Sequence, residues 1–228
     1  MADRFARRIP EPTVVRLPVY QRALLELSAI GVSTISSAEL ADAAGVNAAK
    51  VRKDLSHLGT YGTPGTGYDV DFLLGQIRRE LGLDREWQVV IAGMGNLGHA
   101  LARSQGFSTQ NFRAVALLDV DPTKIGEVVA GLPIRHLSEL PAIAAVTRPA
   151  IGVISSPASA AQVVCDRLVA AGIGAILNFA PAILTVPSQV LLRQVDFSVE
   201  LQVLAFHVAH AEAAIDSDEA RDAPASRR

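Results

Sequence analysis

A glycine run, Gly93-Met-Gly-Asn-Leu-Gly98, follows an apolar segment at 89–92 and opens a helical stretch. In a β–α–β unit each glycine of a G-x-G-x-x-G pattern has its own task. Gly93 permits the tight turn, Gly95 lets the backbone approach a pyrophosphate, and Gly98 lets helix and strand pack closely. The backbone N–H groups of Gly93, Met94, Gly95, Asn96, Leu97 and Gly98 then meet the phosphates at a helix start. A second apolar segment, 115–118, ends at Asp119, about twenty residues past the last glycine. A carboxylate there accepts hydrogen bonds from an adenosine ribose and repels a 2′-phosphate, which favours NAD(H) over NADP(H). Asp121 is close enough to compete for that task. Related folds that bind coenzyme A or adenylates are the alternative.

The rest of the chain after Trp87 suits such a domain. Apolar runs at 89–92, 115–118, 151–154 and 174–177 alternate with helical stretches, the rhythm of a parallel sheet buried on both faces. Half of the 228 residues are apolar, enough for a sizeable core. The single cysteine, Cys165, excludes a disulfide framework within one chain and points to a reducing, cytoplasmic setting. It lies in an apolar helical stretch and reads as a core residue. Neither a signal peptide nor a transmembrane run is evident, so no membrane is expected. No His, Cys, Asp or Glu set has metal-ligand spacing, so no metal is expected. All three tyrosines, at 20, 61 and 68, precede the glycine run, so the Tyr-x-x-x-Lys pair of short-chain dehydrogenases is missing. No catalytic residue is assigned, and the dinucleotide reads as a signal.

The N-terminal part is built differently. After an arm at 1–12, helical patterns are expected over 18–29, 36–44 and 48–58. Ser36 and Glu39 form a capping box, Gly45 breaks the second helix, and Asn47 caps the third. Ala41, Gly45 and Val51 have the spacing of a helix-turn-helix. Val51, Leu55 and Leu58 share one face of the last helix, and Lys50, Lys53 and His57 share another, flanked by Arg52 and Ser56. A cationic, polar face on the second helix supplies what a major groove needs. The bland alternative is a small helical domain with a solvated basic face. Two of the chain's three lysines are on this helix, and residues 1–60 hold eight Lys/Arg against six Asp/Glu. The glycine-rich stretch 59–69, with Tyr61, Gly65 and Gly67, reads as a wing. A helix is expected over 70–81.

These pieces, in this order, resemble the Rex family of redox-sensing transcriptional repressors over about residues 10–210. The resemblance is carried by Val51-Arg-Lys-Asp-Leu-Ser56, Gly67-Tyr68, the glycine run, Asp119-Val-Asp-Pro122, Ile176-Leu-Asn-Phe-Ala-Pro181 and Val195-Asp-Phe197. It implies an α/β chain: a winged helix-turn-helix over 1–82, a Rossmann-type parallel-sheet domain over 83–196, and a domain-swapped dimerisation helix over 197–210. Residues 211–228 are expected to be a disordered tail. The resemblance further implies a homodimer on double-stranded operator DNA, with NADH and NAD+ as ligands, that releases DNA when NADH binds. Phe197 would lie near the nicotinamide, and Asn178, Phe179, Ala180 and Pro181 would line the pocket. Arg22 and Asp196 match a pair that links the two kinds of domain across the dimer.

Two positions depart from the family pattern. Ser104 stands where a tyrosine that partners the aspartate is usual, which bears on discrimination of NADH from NAD+. Pro64 stands where the wing usually has an arginine for the minor groove. Three readings follow: a redox-sensing repressor, a family member with weakened or lost redox discrimination, and a dehydrogenase with an accessory domain.

Overall fold

The computed structural model describes residues 9–59, 67–104, 106 and 109–222, with side chains to His210. The chain divides into two compact units, Met1–Glu86 and Trp87–Arg228. The boundary falls four residues beyond the expected one between 82 and 83.

The first unit runs α1 (Glu11–Ala29), β1 (Thr34–Ile35), α2 (Ser37–Ala44), α3 (Ala48–Leu58), β2 (Tyr68–Asp69) and α4 (Val70–Glu80). α1 starts seven residues before the expected Pro18, because Thr13 and Leu17 are drawn into the core while Pro10 and Pro12 sit where a helix start tolerates proline. The expected arm is therefore helical from Glu11. The other starts are capped as the sequence indicates. Glu39 N–H donates to Ser36 Oγ at 3.2 Å and Ser36 N–H to Glu39 Oε2 at 2.8 Å. Lys50 N–H donates to Asn47 Oδ1 at 2.8 Å. Val51, Leu55 and Leu58 are buried, joining Leu17, Leu24, Leu40 and Ile77 in one core. β1 and β2 pair antiparallel and close the base of the wing, whose residues 60–66 lie outside the described set.

The second unit is a seven-stranded sheet in the order β5-β6-β4-β3-β7-β8-β9. Its strands are β3 (Trp87–Ala92), β4 (Phe112–Asp119), β5 (Val128–Val129), β6 (Leu132–His136), β7 (Ile151–Ile154), β8 (Ala175–Asn178) and β9 (Leu191–Gln194). Only the edge strand β5 is antiparallel to its neighbour. Period-two alternation sends Val90 and Ala92 into one core and Val89 and Ile91 into the other. Helices α5 (Asn96–Arg103), α6 (Leu140–Thr147) and α7 (Ala158–Ala170) connect the strands, and Cys165 of α7 is fully buried. The chain moves from β3 outward through β4, then returns to β7 on the other side of β3. That reversal opens a crevice at the carboxyl ends of β3, β4 and β7, where open α/β sheets bind ligands.

The last helix, α8, spans Phe197–Asp222. It passes the expected end at 210 and runs on through 211–222. That stretch offers little to bury, but its Ala and Glu content sustains a helical backbone. Phe197, Val199, Leu201, Val203, Leu204, Phe206 and Val208 are all exposed. Among the described residues no helix is long and apolar enough to cross a membrane, and no cluster of His, Cys, Asp and Glu could hold a metal.

Candidate functional site

The glycine loop is locked from three sides. Gly93 N–H donates to Leu118 O at 2.8 Å, and Gly93 O accepts from Ser155 Oγ at 2.8 Å. A Cβ on Gly93 would lie 2.5 Å from Ser156 N, and one on Gly98 would lie 2.1 Å from Gly93 O. These two positions are closed to any side chain. A Cβ on Gly95 would meet nothing within 4 Å among the described residues. Gly95 is thus the one glycine of the three that faces open space, at the N-terminus of α5. That is the geometry an incoming phosphate requires.

The loop borders a cavity of about 670 Å³, within the usual range for small-ligand sites. Leu97, Leu118 and Asp119 line one side, and Ser155, Ser156 and Phe179 another. Lys124 and Arg167 add two cations.

Asp119, at the end of β4, is already engaged within the chain. Oδ1 accepts from Val120 N–H at 2.7 Å and Asp121 N–H at 2.9 Å, and Oδ2 accepts from Met94 N–H at 2.7 Å and Lys124 Nζ at 3.2 Å. A carboxylate offers about four acceptor sites, so all are filled by the chain itself. Burial pushes this carboxyl up. The hydrogen bonds from Asp121, Met94, Lys124 and Val120 outweigh that and hold it below the ordinary aspartate range. In this structure Asp119 ties β4 to the glycine loop. Asp121 is more exposed. Its Oδ1 takes Thr123 N–H and Oγ1, while Oδ2 lies 3.7 Å from Lys124 Nζ.

The loop after β8 is tied together in the same way. Asn178, expected to line the pocket, is fully buried and self-satisfied. Its Nδ2 donates to Ala180 O, Ala182 O and Gln194 Oε1, and its Oδ1 accepts from Ala180 N–H. It shapes the loop that presents Phe179. Ala180 is buried and Pro181 is exposed, and neither borders the cavity. Phe197 stacks on Phe179 with ring centroids 6.3 Å apart. Asp196 accepts from Ser198 N–H at 2.9 Å and Ser198 Oγ at 2.6 Å, which holds its carboxyl below the usual range. Ser104 ends α5 and is exposed. Arg22 is exposed on α1, in the other unit.

On the first unit, Lys50, Arg52, Lys53 and Ser56 are exposed along α3, and His57 is half-buried. Arg52 donates to Ser37 Oγ at 3.0 Å and Ser56 to Lys53 O at 2.7 Å. Asn47 spends its carbonyl oxygen on the helix cap. Gly67 serves the fold, since a Cβ there would lie 2.5 Å from Ile35 O. Tyr61 and Gly65 lie outside the described residues, as does Pro64.

Sequence reasoning missed the group that fixes this helix. Asp54, 1 % exposed, accepts from Thr13 Oγ1 (2.8 Å), Arg16 Nε (2.6 Å), Arg16 Nη2 (2.7 Å) and Tyr20 Oη (2.7 Å). Burial raises its carboxyl, but hydrogen bonds from Arg16, Tyr20 and Thr13 prevail and hold it low. The Tyr20 phenol is pushed up to about 12, first by burial and then by its bond to Asp54. The available signal was Asp54's place between Val51 and Leu58 on the apolar face, because a buried acid demands partners. Lys124, Ser155, Ser156 and Arg167 were missed at the cavity. The Ser-Ser-Pro run directly after the apolar segment 151–154 was the clue for two of them.

Comparison with known proteins bears on both units. The family model "Putative DNA-binding protein N-terminus" matches residues 8–56, and "CoA binding domain" matches residues 84–182. The redox-sensing transcriptional repressor Rex of Streptomyces avermitilis is 60% identical over 202 residues, covering 89% of this chain and 80% of that protein. Its namesake in Desulfitobacterium hafniense is 45% identical, covering 88% of this chain and 96% of that protein. Among solved structures, RSP, a Rex-family repressor, in complex with β-NAD+ and operator DNA aligns with a TM-score of 0.85 at 33% identity, covering 95% of this chain and 99% of that one. RSP in complex with β-NADH aligns with a TM-score of 0.83 at 33% identity, covering 92% and 98%.

Proposed function

This chain belongs to the Rex family of redox-sensing transcriptional repressors, and from that membership we propose that it binds operator DNA and releases it when NADH occupies the cavity. It is a regulator, not an enzyme. Residues 1–82 bind DNA, 83–196 hold NADH or NAD+, and the exposed apolar side chains at 197–210 pack against a second copy to form a homodimer. As a DNA-binding regulator it acts in the cytoplasm.

The observation that carries the ligand assignment is the asymmetry of the three glycines, closed at Gly93 and Gly98 and open at Gly95. The N–H groups around Gly95 would hold the pyrophosphate, with Lys124 and Asp121 near the adenosine ribose and Phe179 and Phe197 toward the nicotinamide. The nicotinamide ring supplies a change of charge between its two redox states. The protein's part is to bind the two states with different strength and to couple that difference to DNA. Lys50, Arg52, Lys53, Ser56 and His57 carry the DNA face, held in place by Asp54. Arg22 and Asp196 relay between the two kinds of unit across the dimer. If one ligand weakens DNA binding, DNA must weaken that ligand equally.

Operator binding at fixed salt, with NADH and NAD+ titrated separately and coenzyme A as a control, tests this. NADH is expected to lower operator affinity and coenzyme A to leave it unchanged. Unchanged operator affinity at saturating NADH would falsify the sensor reading. One observation favours a second reading, in which discrimination is weakened: Ser104 ends α5, exposed to solvent, at the position where the family pattern has tyrosine. Equal affinities for NADH and NAD+ by calorimetry would select it.

A further inference from the structure

Ser156 lines the cavity and is nine-tenths buried, yet its hydroxyl meets no donor or acceptor among the described residues. Its neighbours are satisfied. Ser155 Oγ donates to Gly93 O, and Asn178 and Asp119 are fully bonded. A buried hydroxyl without a partner is unfavourable, and such groups in native structures call for an explanation. Ser156 hangs on a single rotatable bond with three staggered wells, so one rotation redirects the hydroxyl.

Its place in the sheet says what it would meet. The glycine loop leaves β3, Asp119 and Lys124 lie at the end of β4 on one side, and Ser156 follows β7 on the other. A dinucleotide whose pyrophosphate sits at Gly95 and whose adenosine half lies toward β4 extends its second ribose toward β7 and Phe179. The Ser156 backbone is packed against Gly93, where a Cβ would lie 2.5 Å from Ser156 N, so the residue is held at the loop's edge. Resting on the dinucleotide reading above, we propose that Ser156 is a specificity residue whose hydroxyl bonds the ribose of the nicotinamide half.

The test uses the full-length protein and three ligands. NADH and ADP-ribose contain the second ribose, and ADP has the pyrophosphate without it. By calorimetry, Ser156→Ala is expected to weaken NADH and ADP-ribose about three- to tenfold, the range of one neutral hydrogen bond. ADP affinity is expected to stay within about twofold, and Ser156→Thr, which keeps a hydroxyl, should retain most of the NADH affinity. The thermal midpoint without ligand should hold or rise in Ser156→Ala, because no bond is lost there. Wild-type binding of NADH with no loss in Ser156→Ala overturns this assignment alone. An equal loss for ADP moves the hydroxyl to a phosphate and overturns it too, as does a lowered midpoint, which marks a structural role. A wild-type protein that fails to bind NADH overturns the family reading and this one with it.

Discussion

Replacing Asp54 by alanine removes the acceptor of four hydrogen bonds at once. Arg16, whose side chain is 27% exposed, can turn its charge to water. Tyr20 and Thr13, 0% and 2% exposed, cannot, so two hydroxyls are stranded in the core of the first unit. Breaking a buried pair from one side costs about 3–5 kcal/mol, and Arg16's exit to solvent points to the lower end, about 3 kcal/mol. For a unit of this size that is a fall of roughly 12–24 °C in its thermal midpoint. The chain supplies separate probes, since all three tyrosines precede residue 87 and the single tryptophan is Trp87. Urea unfolding of the full-length protein should show the tyrosine transition moving to lower denaturant and the tryptophan transition unmoved. Combining Asp54→Leu with Tyr20→Phe and Thr13→Val, which removes both stranded hydroxyls, should recover most of the loss. The sign with pH follows from the lowered carboxyl of Asp54. Its contribution is complete above the unfolded aspartate value, near pH 4, and fades as pH falls toward the folded value. Asp54→Asn should remove that slope. A cost below about 1 kcal/mol for Asp54→Ala would refute the reasoning, because it would mean the four bonds offset no more than the burial of the charge.

Gly98→Ala and Gly95→Ala separate fold from ligand. The first forces a Cβ to within 2.1 Å of Gly93 O and should lower both stability and NADH affinity; the second meets open space and should spare the thermal midpoint while reducing NADH affinity at least about tenfold. Normal NADH binding by Gly95→Ala would remove the pyrophosphate from this loop. Lys53→Ala should weaken operator binding about evenly across sequences and reduce the salt slope by about 1, with NADH affinity unchanged by calorimetry. Cys165, buried and with its thiol pushed up by that burial and by Asp166, should react with a thiol reagent only on unfolding; rapid labelling of the native protein would contradict its place in the core.

The glycine loop was legible because its demand is local: whether a Cβ can be accommodated depends on atoms one turn or one strand away. The same holds for the caps at Ser36 and Asn47 and for the periodic faces of α3. The polar residues at strand ends follow a different physics. Asp119 and Asn178 stand at carboxyl ends of strands, where polar side chains usually serve ligands, yet both are consumed by the chain. Some of their partners are local, Val120, Asp121 and Lys124 for Asp119 and Ala180 and Ala182 for Asn178, but Met94 N–H and Gln194 come from the ends of other strands, and no spacing rule encodes those. Asp54 is the extreme case, with partners 34 to 41 residues earlier. The consequence reaches function. On the proposed reading, with Asp119 and Asn178 holding loops, ligand contact would pass to groups they position: the N–H groups at Gly95, Lys124 of the β4 end, and Phe179. A substitution at Asp119 would then act on dinucleotide affinity by releasing Met94 N–H and the loop behind it, so its effect should extend to ADP, whereas a substitution at Ser156 should not.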